Sequence, residues 1–260
     1  MKKFLRRIFN SRPSRFIRKI TNFRPAIALF PYHKQHLASD LFIWRTDDNF
    51  ETLFNASDIL GKFYGLRSKL FFLFFDNQGK PIRSQELHFQ EGVTSFLIDK
   101  NVVSQEGYGT FCVFNIPLEK HKAPLNVTNR CYIGYGKNKE FSMVHGNIDA
   151  LMITDPYASL ETISDVIQPA ISDYKTNFIY HVQKKSTPNT TISFGFANPL
   201  KRKIKVEVNN KIITIMPRGC GFIEIVESVD NKPHIVKSDF CMARPIIICK
   251  NQAFIDCHHA

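Results

Sequence analysis

The residue types best suited to chemistry gather near two expected strand ends: His145 in one, and Asp256, His258 and His259 in the other. Asp256 and His258 are two apart, so on a strand their side chains share a face. An aspartate beside a histidine orients the imidazole or supplies a second metal ligand. His145 and His258 close matching stretches. Lys137, Asn138, Phe141 and His145 correspond to Lys250, Asn251, Phe254 and His258 at one offset of 113 residues. Met143 stands where the second stretch has Asp256, so the Asp–His pair is not duplicated. The competing reading is a histidine that caps a strand end by bonding backbone.

A second echo pairs Phe42-Ile43-Trp44-Arg45 with Phe178-Ile179-Tyr180-His181. An aromatic residue next to a cation suits stacking on a sugar or base ring. The bland alternative is one core aromatic and one solvated neighbour on opposite faces. Arg244 precedes the penultimate expected strand, as Arg130 precedes an earlier one, and an arginine there can hold a carboxylate bidentately. The ligand-binding candidates are therefore Trp44, Arg45, Tyr180, His181 and Arg244.

Most catalytic signatures are missing. The six cysteines form no CxxC pair, which argues against a zinc ribbon or thioredoxin-type site. His33 and His36 have helical ligand spacing but no Cys or Glu nearby. Gly107-Tyr108-Gly109 and Gly134-Tyr135-Gly136 lack the following Lys-Ser/Thr helix of a phosphate loop. No nucleophile elbow, zincin or kinase motif occurs, and no acidic pair points to glycosidase chemistry. No cofactor is implied. Zinc or iron enters only under an alternative in which His145, His258 and Asp256 form a metal-assisted site between the two stretches.

The elements that must position these residues read as strands. The chain has 260 residues, 43% of them hydrophobic, with 24 Phe against a single Trp. Such a chain has the means to fold. Phe packs into sheet cores without needing a hydrogen-bond partner. Apolar runs of four to eight residues, such as Leu70–Phe75, Phe111–Ile116 and Ile192–Ala197, alternate with Gly, Asn, Asp and Pro. That punctuation marks an all-β chain. Asn209-Asn210 sits between Ile204–Val208 and Lys211–Met216 as a two-residue hairpin turn. Leu160, Ile163 and Ile167 share a face over Ser159–Ile167, the one helical pattern of the body.

The two echoes lead to a fold expectation of two tandem, related antiparallel β-sandwich domains, jelly-roll or Ig-like, preceded by a short basic helical arm. The divisions are an arm and loop over 1–39, copy one over 40–147, a partly helical connector over 148–174, and copy two over 175–260.

The net charge of +12 is not spread evenly. Residues 1–39 hold ten of the 35 Lys/Arg and no Asp or Glu, leaving 25 against 23 elsewhere, a net of +2. Basicity belongs to the N-terminal segment, so a basic nucleic-acid-binding body is not implied. Phe4, Leu5, Ile8 and Phe9, then Phe16, Ile17 and Ile20, recur at helical spacing beside cations, with Pro13 between. Lys2, Lys3, Arg6, Arg7, Arg15, Arg18 and Lys19 are the membrane-binding candidates, since basic amphipathic segments suit anionic lipid surfaces. A packed helix, a solvated tail, a transit peptide and an RNA-binding arm are the competing readings. No secretory apolar run and no 20-residue apolar span is present, so the thiols are expected to be reduced in a cytoplasmic setting, peripheral to a membrane. The sequons at Asn55, Asn126 and Asn189 matter only in a secretory setting.

The functional expectation is a non-enzymatic binding or scaffolding protein tethered to an anionic membrane surface by its arm. Its ligand would be a protein or a carbohydrate-like molecule. The alternatives are the metal-assisted enzyme and a virion or assembly component.

Overall fold

The computed structural model describes residues 8, 11–20, 36–89, 92–121, 125–128, 131–146, 148–155, 166–171, 173, 175–183, 190–226, 232–240, 243–251 and 255–259. The apolar runs form short strands: β1 (His36–Ser39), β2 (Phe42–Arg45), β3 (Glu51–Ser57), β4 (Ser68–Asp76), β5 (Pro81–His88), β6 (Val93–Ile98), β7 (Tyr108–Pro117), β8 (Asn126–Thr128), β9 (Cys131–Lys137) and β10 (Glu140–His145). The rest are β11 (Leu151–Ile153), β12 (Gln168–Pro169), β13 (Lys175–Val182), β14 (Thr191–Ala197), β15 (Ile204–Val208), β16 (Lys211–Ile215), β17 (Cys220–Val226), β18 (His234–Phe240), β19 (Ile246–Lys250) and β20 (Ile255–His259). Helices are short: α1 (Arg12–Ile20), α2 (Ile59–Tyr64) and α3 (Lys100–Val103). Asp58 caps α2 by accepting from the Gly61 amide, and Gly65 ends it in the left-handed region, φ 63°. Of the expected helix Ser159–Ile167, residues 159–165 lie outside the described residues.

The strands make five four-stranded sheets: I (β12-β11-β1-β8), II (β2-β7-β4-β5), III (β10-β9-β3-β6), IV (β17-β14-β19-β20) and V (β13-β18-β15-β16). They are arranged as a five-bladed β-propeller, with low helical content. Among the described residues all pairings are antiparallel except β1 with β8. The blades are not sequential meanders, because neighbours such as β9 and β3 lie far apart in the chain.

This arrangement corrects the expectation of two tandem, related β-sandwiches. The finding against it is the number of sheets and the way they share cores. Sheets II and III enclose Phe42, Trp44, Phe54, Phe72 and Phe111, and Ile246, Ile248 and Cys257 of sheet IV join the same cluster. Sheet IV packs its other face, through Ile192, Phe194, Ile247 and Cys249, onto sheet V. Sheet II turns Phe71, Leu73 and Phe75 toward sheet I. Ile148 touches both the sheet I/II core and the sheet IV/V core. Leu70–Phe75 is apolar on both faces because its sheet is covered on both sides, whereas each sheet of an isolated sandwich leaves one face to water. The tandem-repeat reading falls with the sandwiches. The Lys-Asn-x-x-Phe stretch marks two similar edge hairpins, β9–β10 and β19–β20, and not two copies of a domain.

The first of those stretches contains the hairpin turn itself. Asn138 and Lys139 are both left-handed, φ 52° and 68°, and turn β9 back into β10. Asn209 and Asn210, φ 47° and 70°, turn β15 into β16 in the same way, as their residue types require.

The single tryptophan fixes the junction of the shared cores. Trp44 is fully buried, and its indole Nε1–H donates to the Phe75 carbonyl at 3.0 Å. Gly109 lies opposite it on β7. A Cβ there would stand 2.2 Å from the Phe75 carbonyl oxygen and 2.6 Å from the indole ring. Gly109→Ala is therefore expected to destabilise the chain by about 1–3 kcal/mol through overpacking. It should also shift Trp44 fluorescence to the red, read in a urea titration with emission spectra. An unshifted spectrum with wild-type stability would contradict the packing.

Candidate functional site

β10 and β20 are edge strands of sheets III and IV and lie side by side. The Cys257 amide donates to the Ser142 hydroxyl at 2.8 Å. At the strand ends the His145 and His259 rings stand 5.2 Å apart between centroids, tilted by 52°, and His259 Nε2 is 2.5 Å from the His145 carbonyl oxygen. His145 Nδ1 is 2.6 Å from the Gly146 carbonyl. The structure thus joins His145 to His259 and not to His258. Alternation along β20 is the reason: His259 shares the face of Cys257 toward sheet III, while His258 and Asp256 face the other way. His258 Nδ1 and Asp256 Oδ2 are 3.9 Å apart, too far for a hydrogen bond.

The two rings, with Asp40 and Arg244, border a cavity of about 30 Å³. That is room for about two waters at most, not for an organic substrate. Asp40 accepts from the Leu41 amide at 2.7 Å and the Ile148 amide at 3.2 Å, which hold its carboxylate in place. Among the described residues no group of three His, Cys, Asp or Glu side chains is placed to hold a metal ion. The five described cysteines, Cys112, Cys131, Cys220, Cys249 and Cys257, are buried and unbridged. Burial pushes the Cys112 and Cys257 thiols up to about 12, which leaves them unreactive.

The remaining candidates separate. Trp44 is a core residue and offers no stacking face. Tyr180 is half-buried and donates its hydroxyl to the Ala243 carbonyl at 2.7 Å; burial raises its pKa. His181 is exposed on β13, an edge strand of sheet V. Arg15, Arg18 and Lys19 fall within α1, while Lys2, Lys3, Arg6, Arg7 and Arg130 lie outside the described residues.

Arg45 is the candidate with the richest surroundings. It is only 6% exposed. Its Nε and Nη2 donate to the two Asp47 carboxylate oxygens at 2.7 and 3.1 Å. Its guanidinium carbon lies 4.5 Å from the Phe50 ring centre and 5.0 Å from that of Phe222. A buried guanidinium needs such pairing to offset its lost hydration. Beyond it opens a cleft of about 520 Å³, bordered by Arg45, Asp47, Tyr108, Lys211, Phe222 and Glu224 from sheets II, IV and V. Phe222 lies over Gly195, where a Cβ would stand 2.6 Å from its ring, and meets Tyr108 edge-on at 5.0 Å.

Sequence reasoning missed Phe50 and its cations. Lys137 and Lys250 lie 4.9 and 5.5 Å from its ring centre, and Lys250 also bonds Asp48. That bond, with the charges of Lys250 and Lys137, holds the Asp48 carboxyl below its ordinary range. The signal lies in the Lys137/Lys250 echo itself, eight residues before the histidines.

Burial lowers the His259 pKa, reinforced by the charges of His145 and Arg244; the backbone bonds to His145 and Pro245 act the other way. A histidine kept neutral in the fold stabilises it above its unfolded value of about 6.5. As pH falls through that value toward the lower folded one, the unfolded chain takes up the proton first and stability drops. His259→Gln, which keeps a side-chain donor toward the His145 carbonyl, should flatten this part of the curve. Thermal melts of both proteins from pH 7.5 to 5 check it; parallel curves would refute the assignment.

No protein-family model matches the chain, and no curated protein is significantly similar to it. Among solved structures, one described as an anti-sigma factor domain-containing protein covers 84% of this chain and 78% of its own, at 9% identity and a TM-score of 0.21. So loose a superposition carries no argument about fold or function.

Proposed function

We propose that the chain is a non-catalytic binding or scaffolding protein, held at an anionic membrane surface by its N-terminal basic segment. The observation that carries this reading is the state of α1. Its apolar residues Phe16, Ile17 and Ile20 are 65%, 57% and 69% exposed. A helix that used this face to pack on the body would bury it. Pro13 occupies the first turn, where its missing N–H costs nothing, and the Ser14 amide lies 3.4 Å from the Ser11 hydroxyl. No acidic residue occurs before Asp40.

The magnitudes favour a lipid surface. A helix of nine residues is marginal alone in water. Sinking its apolar side chains into an interface recovers up to about 1.5–3 kcal/mol each. Each nearby Lys or Arg adds about 1 kcal/mol against anionic lipid. Among the described residues no helix is long and apolar enough to cross a membrane, so attachment by this route would be peripheral. Anionic lipid on the cytoplasmic leaflet would place the protein in the cytoplasm.

The binding half of the proposal draws on the cleft beside Arg45. It is the right size for a small molecule, roughly 300–1,000 Å³. The histidine cavity lacks that room, which weighs against the enzyme alternative.

Co-sedimentation with vesicles tests the attachment. The full chain should pellet with phosphatidylserine-containing vesicles, bind phosphatidylcholine vesicles weakly, and release as salt rises. Phe16→Glu with Ile20→Glu should reduce pelleting about tenfold or more. If this double variant pellets like the wild type, the membrane reading fails.

A further inference from the structure

We infer that the cleft between Tyr108, Phe222, Arg45 and Glu224 binds a neutral saccharide. This deepens the binding half of the reading above and is independent of membrane attachment. The charge balance of the walls is the first argument. Arg45 and Lys211 oppose Asp47 and Glu224, and the four sum to zero. An anionic ligand would face two carboxylates, and a cationic ligand two cations. A neutral molecule rich in hydroxyls meets both donors and acceptors without a net electrostatic cost.

The second argument is how far each charged group is already engaged. Asp47 takes both inner nitrogens of Arg45, so the guanidinium is neutralised where it sits. Glu224 Oε1 accepts from the Ser193 hydroxyl at 3.0 Å and lies 3.8 Å from Arg45 Nη2, yet the side chain stays 57% exposed. Its Oε2 has no hydrogen-bond partner among the described residues. Lys211 Nζ donates to the Glu224 carbonyl at 2.7 Å, which ties the lysine to the wall. The polar groups are thus held by the fold and retain open hydrogen-bonding capacity, as a preorganised site needs.

The third argument is the aromatic wall. Phe222 is pinned between Gly195 and the Arg45 guanidinium, and it sets Tyr108 edge-on at 82°. Tyr108 is half-buried, and its hydroxyl has no hydrogen-bond partner among the described residues. An amphipathic ring beside carboxylate acceptors suits a sugar, whose ring has an apolar C–H face and a rim of hydroxyls. The sequence pointed to stacking on a sugar or base ring at Trp44-Arg45. Under this proposal Arg45 stays at the cleft wall, and the ring contact passes from the buried Trp44 to Tyr108.

The test is saturation-transfer NMR and calorimetry on the full chain, without vesicles, using maltose, cellobiose and lactose as probes. At least one should bind saturably with little salt dependence. Tyr108→Ala should weaken it about tenfold, by loss of the ring contact. Glu224→Gln, at an exposed position, should weaken it severalfold while leaving the melting curve and Trp44 emission unchanged. Should Tyr108→Ala fail to fold, Glu224→Gln still decides. The proposal is overturned if none of the three sugars binds, if Glu224→Gln binds as well as the wild type, or if heparin-derived oligosaccharide or spermine binds more tightly in a salt-sensitive way. A vesicle result in either direction leaves this outcome untouched.

Discussion

The structure depends on covering both faces of β4. Its side chains alternate between two cores: Leu70, Phe72 and Phe74 on one side, Phe71, Leu73 and Phe75 on the other. A strand so uniformly apolar cannot lie at a surface, because each exposed Phe would forfeit about 1.5–3 kcal/mol of burial. One neighbouring sheet satisfies half of it, and a second is obligatory. Sheet IV is under the same constraint, with Ile246 and Ile248 facing one core and Ile247 and Cys249 the other. Two doubly covered sheets in one chain force a multi-sheet assembly.

This constraint also explains which parts of the fold were legible in the sequence. Strand positions were readable because β-branched and aromatic runs are cut by Gly, Asn and Pro, and the Asn209-Asn210 turn was readable because both residues tolerate positive φ. The grouping of strands into sheets was not. β3 lies between β9 and β6, so one neighbour is about 40 residues away and the other about 80, and no local pattern encodes either distance. Leu70–Phe75 contained the needed information, since an apolar strand without alternation belongs to a sheet buried on two sides. Assigning it to the centre of a sandwich accounted for its hydrophobicity but not for its second face.

The candidate residues were legible to differing degrees for the same reason. Identifying His145 as a strand end needed only local spacing. Choosing its partner needed the phase of β20, and a shift of one residue exchanges His258 for His259 and reverses which sheet the ring addresses. Arg45 was found by type, but its environment comes from Phe222 and Glu224, about 180 residues away. Tyr108 sits in a Gly-x-Gly stretch, and nothing in that local pattern marks it as the neighbour of Phe222, more than 100 residues away.

The burial of Arg45 connects the core to the cleft. At position 45 the chain leaves β2, and a charged side chain enters a region already filled by Phe50 and Phe222. The carboxylate that compensates it comes from two residues further on, which requires a tight turn at Asp47–Asn49. That turn places Asp48 and Asn49 in the left-handed region and points Asp48 to Lys250 of sheet IV. One loop therefore ties sheet II to sheet IV and holds Phe50 beneath three cations, Arg45, Lys137 and Lys250. The same guanidinium that the turn neutralises on its inner side clamps Phe222 on its outer side, and Phe222 positions Tyr108. The wall of the cleft is thus the outer surface of the Arg45–Asp47 ion pair.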